Sequence, residues 1–293
     1  MAIKVSPARK TFLWANNIFC VVVALVCIAP VIHILALSFS GSNAVYAGRV
    51  TFWPLEFCLD NYEVIISDSQ FFISYRLTII RAVIGWIFGL IVTVLAAYPM
   101  SQRKVNFPAR QGFVVYFMII MLFNGGMIPT YLVVKELGLL DSIWSLILPS
   151  AVSTYNIILM MNFMKGLPES ISESAFIDGA GHFRTLFQII LPLCLPSLAT
   201  ISLFIVLAHW NAWFDGMIYI NDMNLKPLQT YMRSVIIVDS ATENMSIDDV
   251  MANVTAEGAN AAKIFCVILP VMCVYPFLQK HFAKGIVRGS VKE

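Results

Sequence analysis

Apolar residues run in long blocks along the 293-residue chain, and shorter polar stretches separate these blocks. Several blocks reach the roughly 20 residues that an α-helix needs to cross the hydrocarbon core of a bilayer. Their length and periodicity predict transmembrane helices rather than strands. The predicted spans cover residues 13–39, 71–99, 112–132, 142–162, 189–214 and 261–280.

Composition agrees with a membrane protein. Hydrophobic residues make up 59% of the chain and charged residues only 12%, which is about half the charged share of a soluble domain. The net charge of +2 is too small to favour a nucleic-acid partner. The cysteines and histidines are dispersed without ligand spacing, so we assign no metal site and no catalytic residue.

The distribution of Lys and Arg sets the orientation, because basic residues concentrate in cytoplasmic loops. Twelve lie in the N-terminal tail, the 101–111 loop, the 163–188 loop and the C-terminal tail, and five lie in the remaining loops. Both termini are therefore predicted to be cytoplasmic. The prediction is an all-α, multi-pass protein of the bacterial plasma (inner) membrane, with residues 1–293 forming a single transmembrane domain.

The cytoplasmic loop 163–188 carries local signals for a pair of short helices. Pro168 suits a first helical turn, and Ser170 and Glu173 have the spacing of a capping box. Gly179 and Gly181 permit a sharp reversal, because glycine reaches positive φ at little cost. A second helix is predicted from His182 to about Ile190, before prolines that open or kink the fifth span.

The larger external loop, 215–260, contains a second helical signal. Ser246 and Asp249 fit an N-cap and its third residue, and apolar residues follow at helical spacing. Two interpretations remain open: a helix lying on the protein's own outer face, or a docking element for an external partner.

The segment "ESAFIDGAGHFRTLFQIILPLCLP", residues 173–196, resembles the cytoplasmic signature of permeases in binding-protein-dependent ABC importers. Its one departure from that signature is Ser174, where the family usually has alanine. Further segments resemble the carbohydrate branch of the family, the maltose-type inner subunit, and most of all permeases for oligosaccharides and polysaccharide fragments. These segments are "FNGGMIPTYLVVKELGLLDSIWSLILP", "HWNAWFDGMIYI" and "FLQKHFAKGIVRGS".

The resemblance implies an ABC type I importer permease fold with cytoplasmic coupling helices. It implies a pore-forming subunit of an ATP-driven importer that takes sugar fragments, acidic ones such as those of alginate included, from an external binding protein into the cytoplasm. The implied partners are a second, homologous permease, two ATPase subunits and that binding protein. ATP and magnesium would bind the ATPase subunits, since this chain has no phosphate-binding G-x-x-x-x-G-K-[ST] motif. The residues implied to couple transport to the ATPase are Glu173, Ser174, Ala175, Asp178, Gly179, Ala180 and Gly181.

Polar residues within the spans are candidates for a sugar path, because such residues are costly in a membrane and often functional. The third span is predicted to break at Asn124-Gly125-Gly126 and again at Pro129. The candidate path residues are Asn124, Tyr155, Asn156, Trp210, Asn211 and Trp213. The same residue types also serve in helix packing and interfacial belts. Arg76 and Arg81 are predicted to extend towards lipid headgroups, with attraction of an acidic sugar as the alternative.

Two other classes of protein fit a multi-pass chain. An ion-coupled secondary sugar transporter would place carboxylates in the middle of spans, whereas every Asp and Glu here falls in a loop, a span end or a tail. A membrane-embedded enzyme would need a nucleophile with a base, or a metal cluster, at membrane depth. The chain is therefore predicted not to be an enzyme.

Overall fold

A computed structural model describes residues 7–103, 107–240 and 257–274, with the side chains of residues 7, 8 and 237–240 excepted. Within these ranges the chain is helical and contains no strand. The helices are α1 (Pro7–Ser38), α2 (Ser42–Tyr46), α3 (Asp60–Ser67), α4 (Ser69–Ser101), α5 (Arg110–Leu122), α6 (Met127–Glu136), α7 (Ile143–Ile147), α8 (Thr154–Lys165), α9 (Glu169–Ile177), α10 (His182–Arg184), α11 (Leu191–Leu193), α12 (Leu195–Asn211), α13 (Phe214–Tyr219), α14 (Leu228–Ser240) and α15 (Glu257–Val274). A π-helix, Thr185–Ile190, joins α10 to α11, and 3₁₀ turns cover Leu148–Ser150 and Met223–Leu225.

Three helices, α1, α4 and α15, are each long and apolar enough to cross a membrane. Three bent pairs bring the total to as many as six spans: α5 with α6, α7 with α8, and the segment His182–Leu193 with α12. These elements fall on the six predicted blocks. The external helix predicted after Ser246, and the resemblance in the C-terminal tail, lie outside the described residues.

The third span is broken once rather than twice. α5 ends at Leu122 and α6 begins at Met127, with an angle of 110° between them. Gly126 makes this turn with a φ of +88°, a conformation that glycine adopts most easily. The second break predicted at Pro129 is absent. Pro129 lies in the first turn of α6, where a missing N–H costs no hydrogen bond.

The chain divides into two compact units, and the first comprises residues 1–69 and 234–270. Asn61 ties α3 to the end of α1, since its side-chain amide donates to the carbonyl oxygens of Ser38 and Ser40, both at 3.1 Å. In the same unit, Lys263 Nζ lies 2.7 Å from a carboxylate oxygen of Asp68. Both side chains are largely buried. This ion pair therefore ties α15 to the residue that follows α3.

The second unit comprises residues 70–233 and 271–293. Its core is an apolar cluster drawn from α4, α8, the π-helix and α12, and it includes Ala97, Met160, Leu186 and Ile201. Methionine is frequent in this cluster, and its flexible side chain fills irregular gaps well. Because Leu186 and Ile190 of the π-helix belong to this core, the cytoplasmic loop is anchored directly in the membrane helices.

Candidate functional site

The first helix of the cytoplasmic loop, α9, begins one residue after Pro168. Pro168 is the N-cap and supplies no side-chain hydrogen bond, so the capping box predicted for Ser170 and Glu173 is wrong. The physical reason is that proline's fixed φ already suits a helix start, which leaves Ser170 inside the first turn. There its carbonyl accepts a hydrogen bond from Ser174 Oγ.

Gly179 ends α9 with a φ of +76°, which confirms the predicted reversal at this glycine. Gly181, two residues later, has an ordinary φ of −72° and serves as the N-cap of α10. Ala175 and Ala180 are buried beside the turn, and a hydrogen bond joins the Ala180 amide to the Ala175 carbonyl at 2.9 Å. The turn is therefore closed by backbone contacts and small side chains.

The second helix is longer than predicted. It begins at His182 as α10, widens into the π-helix Thr185–Ile190 and continues through α11 to Leu193. The chain then bends by 86° into α12, where Pro196 occupies the first turn, as a proline can. His182 is held by Tyr98, whose hydroxyl lies 3.3 Å from His182 Nδ1.

The helix pair exposes polar and large apolar side chains beside each other. Glu173, Ser174 and Asp178 of the predicted coupling residues are exposed, as are Gly179 and Gly181. Ile177 is 85% exposed and Phe183 is 74% exposed. Large apolar side chains that protrude next to charged ones on the cytoplasmic side are typical of a surface that meets another protein.

Arg103, two residues after the end of α4, pairs with two acids of α9. Its guanidinium lies 2.9 Å from Glu173 Oε1 and also contacts the carboxylate of Glu169. All three side chains are more than half exposed. Sequence reasoning missed this contact because nothing in the spacing of the residues brings the 101–111 loop beside α9.

A cavity of about 390 Å³ lies among α4, α8 and α12. Tyr155 and Asn156 of the predicted path line it. So do Arg81, His209 and Asp215, which sequence reasoning did not place on the path. The rings of Tyr155 and Phe204 lie 6.3 Å apart on its wall, and Ser150 and Ser153 add hydroxyl groups.

Arg81 is 1% exposed and does not extend to headgroups, so that prediction is wrong. Its guanidinium pairs with the carboxylate of Asp215, with one N–O distance of 3.3 Å and another shorter. It also donates to the carbonyl oxygens of Leu146 at 3.1 Å and Ala212 at 3.4 Å. A buried Arg twelve residues into α4 requires such partners, and this requirement was the available signal for Asp215 as its counter-charge.

The other candidate path residues lie outside the lining of this cavity. Trp210 is buried and packs edge-on against Tyr75, with ring centroids 5.9 Å apart. Trp213 stacks under Arg233, whose guanidinium carbon lies 3.7 Å from the ring centroid. Asn124 is exposed and accepts a hydrogen bond from the Gly126 amide in the 110° turn, and Asn211 is exposed. The structure thus brings Tyr155 and Asn156 together and leaves these four apart from them.

Comparison with known proteins identifies the class. A sequence profile described as "Binding-protein-dependent transport system inner membrane component" matches residues 89–288. The chain is 40% identical over 275 residues to the polygalacturonan/rhamnogalacturonan transport system permease protein YtcP of Bacillus subtilis, covering 94% of this chain and 96% of that one. It is 41% identical over 290 residues to protein LplC of the same organism, covering 98% and 97%.

A solved structure is also similar. It is the crystal structure of a bacterial ABC transporter involved in the import of the acidic polysaccharide alginate. The TM-score is 0.85 at 32% identity, and the match covers 96% of this chain and 100% of that one.

The family match and the apolar helices identify a multi-pass transport permease rather than an enzyme. The chain belongs to the family of binding-protein-dependent transport system inner membrane components. It is a permease subunit of an ABC importer, and its relatives are carbohydrate permeases. This confirms the predicted family, fold class and membrane location.

Proposed function

We propose that this permease imports acidic oligosaccharides or polysaccharide fragments of the polygalacturonan and alginate class. The observation that carries the proposal is the nearly full-length similarity to a polygalacturonan permease and to a permease of an alginate importer. Both substrates are chains of sugars that bear carboxylates. A binding protein outside the membrane would deliver the fragment, and the permease would pass it to the cytoplasm.

Coupling to ATP hydrolysis is assigned to the helix pair formed by α9 and the segment His182–Leu193. Its exposed residues Glu173, Ser174, Asp178, Gly179 and Gly181 would enter a cleft of a cytoplasmic ATPase, with Ala175 and Ala180 supporting the turn from within. Ile177 and Phe183 would supply apolar contact area, since burial of such side chains is a main source of affinity. ATP and magnesium would bind that ATPase.

The second helix of the pair is anchored in the core of the permease, which supports the proposal that it transmits movement from the ATPase. Leu186 and Ile190 are nearly inaccessible to solvent and pack with α4, α8 and α12. A displacement of the cytoplasmic helices would therefore move the core, because close-packed interiors transmit strain. The assembly would contain this chain as one permease domain, a second homologous permease, two ATPase subunits and the external binding protein.

The sugar path is proposed to pass Tyr155 and Asn156. Asn124, Trp210, Asn211 and Trp213 remain candidates for other stages of the path, although the packing of Trp210 and Trp213 favours a structural role for these two. Contacts along a path should be individually weak, because a sugar held tightly at mid-membrane would not leave.

The test is to purify the permease with its co-expressed partners, reconstitute the complex and load the binding protein with a panel of sugars. Oligogalacturonides and oligoalginates should stimulate ATP hydrolysis and uptake, whereas maltotriose of similar size should not. Stimulation by neutral sugars alone would contradict the substrate proposal. Transport by the purified chain without an ATPase, driven by a proton or sodium gradient, would contradict the coupling proposal.

A further inference from the structure

A second pocket, apart from the cavity described above, lies at the cytoplasmic end of α4. Its volume is about 290 Å³. Most of its wall is apolar and comes from α4, from the loop after α4 and from the second cytoplasmic helix, with Leu95, Phe107, Phe183 and Leu186 among the lining residues. Tyr98 and His182 also line it, but their polar atoms already contact each other at 3.3 Å. The pocket therefore suits a hydrocarbon chain better than a polar molecule.

Two basic side chains lie near each other where α5 begins and α8 ends. Arg110 is the first residue of α5 and Lys165 is the last residue of α8, and the two helices pack together. The charges of Arg110 and Lys165 are close enough to repel each other. Neither side chain has an acidic partner among the described residues. An anion between the two cations would replace this repulsion with attraction.

The apolar pocket and the cation pair are linked through Phe107. Phe107 lines the pocket, and its carbonyl oxygen accepts a hydrogen bond from the Arg110 amide at 3.1 Å. Its ring stacks on Phe113 of α5, with the ring centroids 5.6 Å apart. Phe113 and Tyr116 are exposed, so apolar surface continues from the pocket along α5. Basic and aromatic residues at the cytoplasmic ends of spans are the usual neighbours of lipid headgroups.

We propose that this surface binds an anionic phospholipid of the cytoplasmic leaflet, with its phosphate between Arg110 and Lys165 and part of an acyl chain in the pocket. The charge of the cation pair matches an anionic headgroup, and the apolar wall matches an acyl chain. A soluble phosphate would use only the first of these two features. The inference does not depend on which sugar the importer carries.

The bound lipid would lie beside the surface that the proposed function assigns to the ATPase. Phe183 belongs to that surface and also lines the pocket. Leu186, on the same helix, lines the pocket from the buried side. An acyl chain in the pocket would therefore fill the space between the end of α4 and the second cytoplasmic helix. Such a lipid is expected to stabilise this helix.

The test uses the complete importer in detergent micelles, titrated with phosphatidylglycerol or with phosphatidylcholine of the same acyl chains. The melting temperature of the complex is measured at each lipid concentration. Arg110→Gln and Lys165→Gln each remove one cation of the proposed site. Lys10→Gln is the matched control, because Lys10 is an exposed lysine at the start of α1 and does not line the pocket.

Phosphatidylglycerol should raise the melting temperature of the wild-type complex more than phosphatidylcholine does. Arg110→Gln and Lys165→Gln should each raise the phosphatidylglycerol concentration for half of that increase about fivefold, which is the usual contribution of one basic residue to binding an anionic lipid surface. Lys10→Gln should leave this concentration unchanged. Equal responses to the two lipids in the wild type, or equal half-effect concentrations in all three variants, would overturn the proposal.

The pocket is tested by filling it. Leu95→Trp enlarges a side chain of the lining, and Ile91→Trp is its matched control, one turn earlier on α4, exposed and outside the lining. Leu95→Trp should weaken the response to phosphatidylglycerol and Ile91→Trp should not. Leu95→Phe, a smaller change, takes its place if the tryptophan variant does not assemble.

Two further measurements distinguish the lipid from other occupants. Glycerol phosphate supplies the headgroup anion without acyl chains, and stabilisation equal to that by phosphatidylglycerol would show that the site takes a free phosphate, which overturns the lipid assignment. ATPase retention is followed in the same complexes. Loss of the ATPase from the Leu95→Trp complex, with an unchanged response to phosphatidylglycerol, would assign the pocket to an apolar side chain of the ATPase and would also overturn the proposal.

Discussion

The guanidinium of Arg103 lies 2.9 Å from Oε1 of Glu173 and so holds an acid that the proposed function assigns to the ATPase. The same guanidinium reaches Glu169, one helical turn earlier. The carboxylate of Glu173 must leave Arg103 before it can pair with a basic residue of another protein. Arg103 is thus expected to compete with the ATPase for Glu173.

Arg103→Gln should therefore strengthen the association of the permease with its ATPase while leaving thermal stability nearly unchanged, since exposed ion pairs contribute about 0–1 kcal/mol. Arg49→Gln is the matched control, because Arg49 forms a similarly exposed pair with Glu56 at 3.6 Å in the first unit. ATPase retention is measured at two salt concentrations. Equal retention by wild type and Arg103→Gln at low salt would show that the pair does not compete.

Gly179 and Gly181 form a second matched pair. Both are exposed with open space around the position of a Cβ, but only Gly179 has a positive φ. Gly179→Ala should cost about 1–2 kcal/mol locally and should lower ATPase coupling, whereas Gly181→Ala should change neither. The measurements are ATPase co-purification and sugar uptake per molecule. Wild-type coupling in Gly179→Ala would show that the turn is only a linker.

The pair of Arg81 and Asp215 should be more costly to break than to replace. Arg81→Met alone leaves Asp215 without its counter-charge and should lower the free energy of unfolding by about 3–5 kcal/mol. The double variant Arg81→Met/Asp215→Leu removes both charges and should recover most of that loss. The check is thermal unfolding of the three purified proteins in one detergent. A double variant as unstable as the single one would contradict this expectation.

Asn156 and Trp210 should respond differently to substitution. Asn156 lines the cavity, so Asn156→Leu should change stability by less than the roughly 0.6 kcal/mol of an average interhelical hydrogen bond, and should alter uptake. Trp210 is packed against Tyr75, so Trp210→Ala should cost about 3–5 kcal/mol with normal uptake per folded molecule. Melting temperature and uptake are compared for both. The reverse pattern would move Trp210 to the path and Asn156 to the core.

Asp141 links the loop before α7 to the loop after α13. Its carboxylate accepts hydrogen bonds from the backbone amides of Asn221 and Asp222 and from the Asn221 side chain. These bonds lower the pKa of Asp141 below its ordinary value of 3.8. A lowered pKa stabilises the fold at pH values above the unfolded pKa, and the contribution is lost as pH falls through the folded pKa.

Asp141→Asn should therefore lower the melting temperature at neutral pH, and the difference from wild type should shrink as the pH falls below 3.8. Glu136→Gln, which removes an exposed carboxylate at the end of α6, is the control. Melting is followed from neutral pH into the acid range. A difference that stays constant over that range would show that the charge of Asp141 contributes nothing.

Much of the fold could be predicted because span length and glycine conformation are local properties. The apolar blocks gave the spanning helices, and Gly179 and Gly126 turn the chain as their surroundings require. The capping box failed because Pro168, one residue before α9, already serves as its cap. The contacts of Arg81 with Asp215 and of Arg103 with Glu173 join residues far apart in the chain. Such pairings depend on tertiary packing, which periodicity does not encode.

The π-helix at Thr185–Ile190 joins the exposed start of the second cytoplasmic helix to its buried anchor in the core. A π-turn closes its hydrogen bonds one residue later than an α-turn, and each residue of an α-helix turns the chain by about 100°. Because its wider turn holds more residues, the π-helix absorbs one extra residue while Phe183 keeps nearly the direction that it would have on a continuous α-helix. A residue inserted into a regular α-helical turn has no such outlet and would rotate the exposed side chains of this helix against its buried anchor by about 100°.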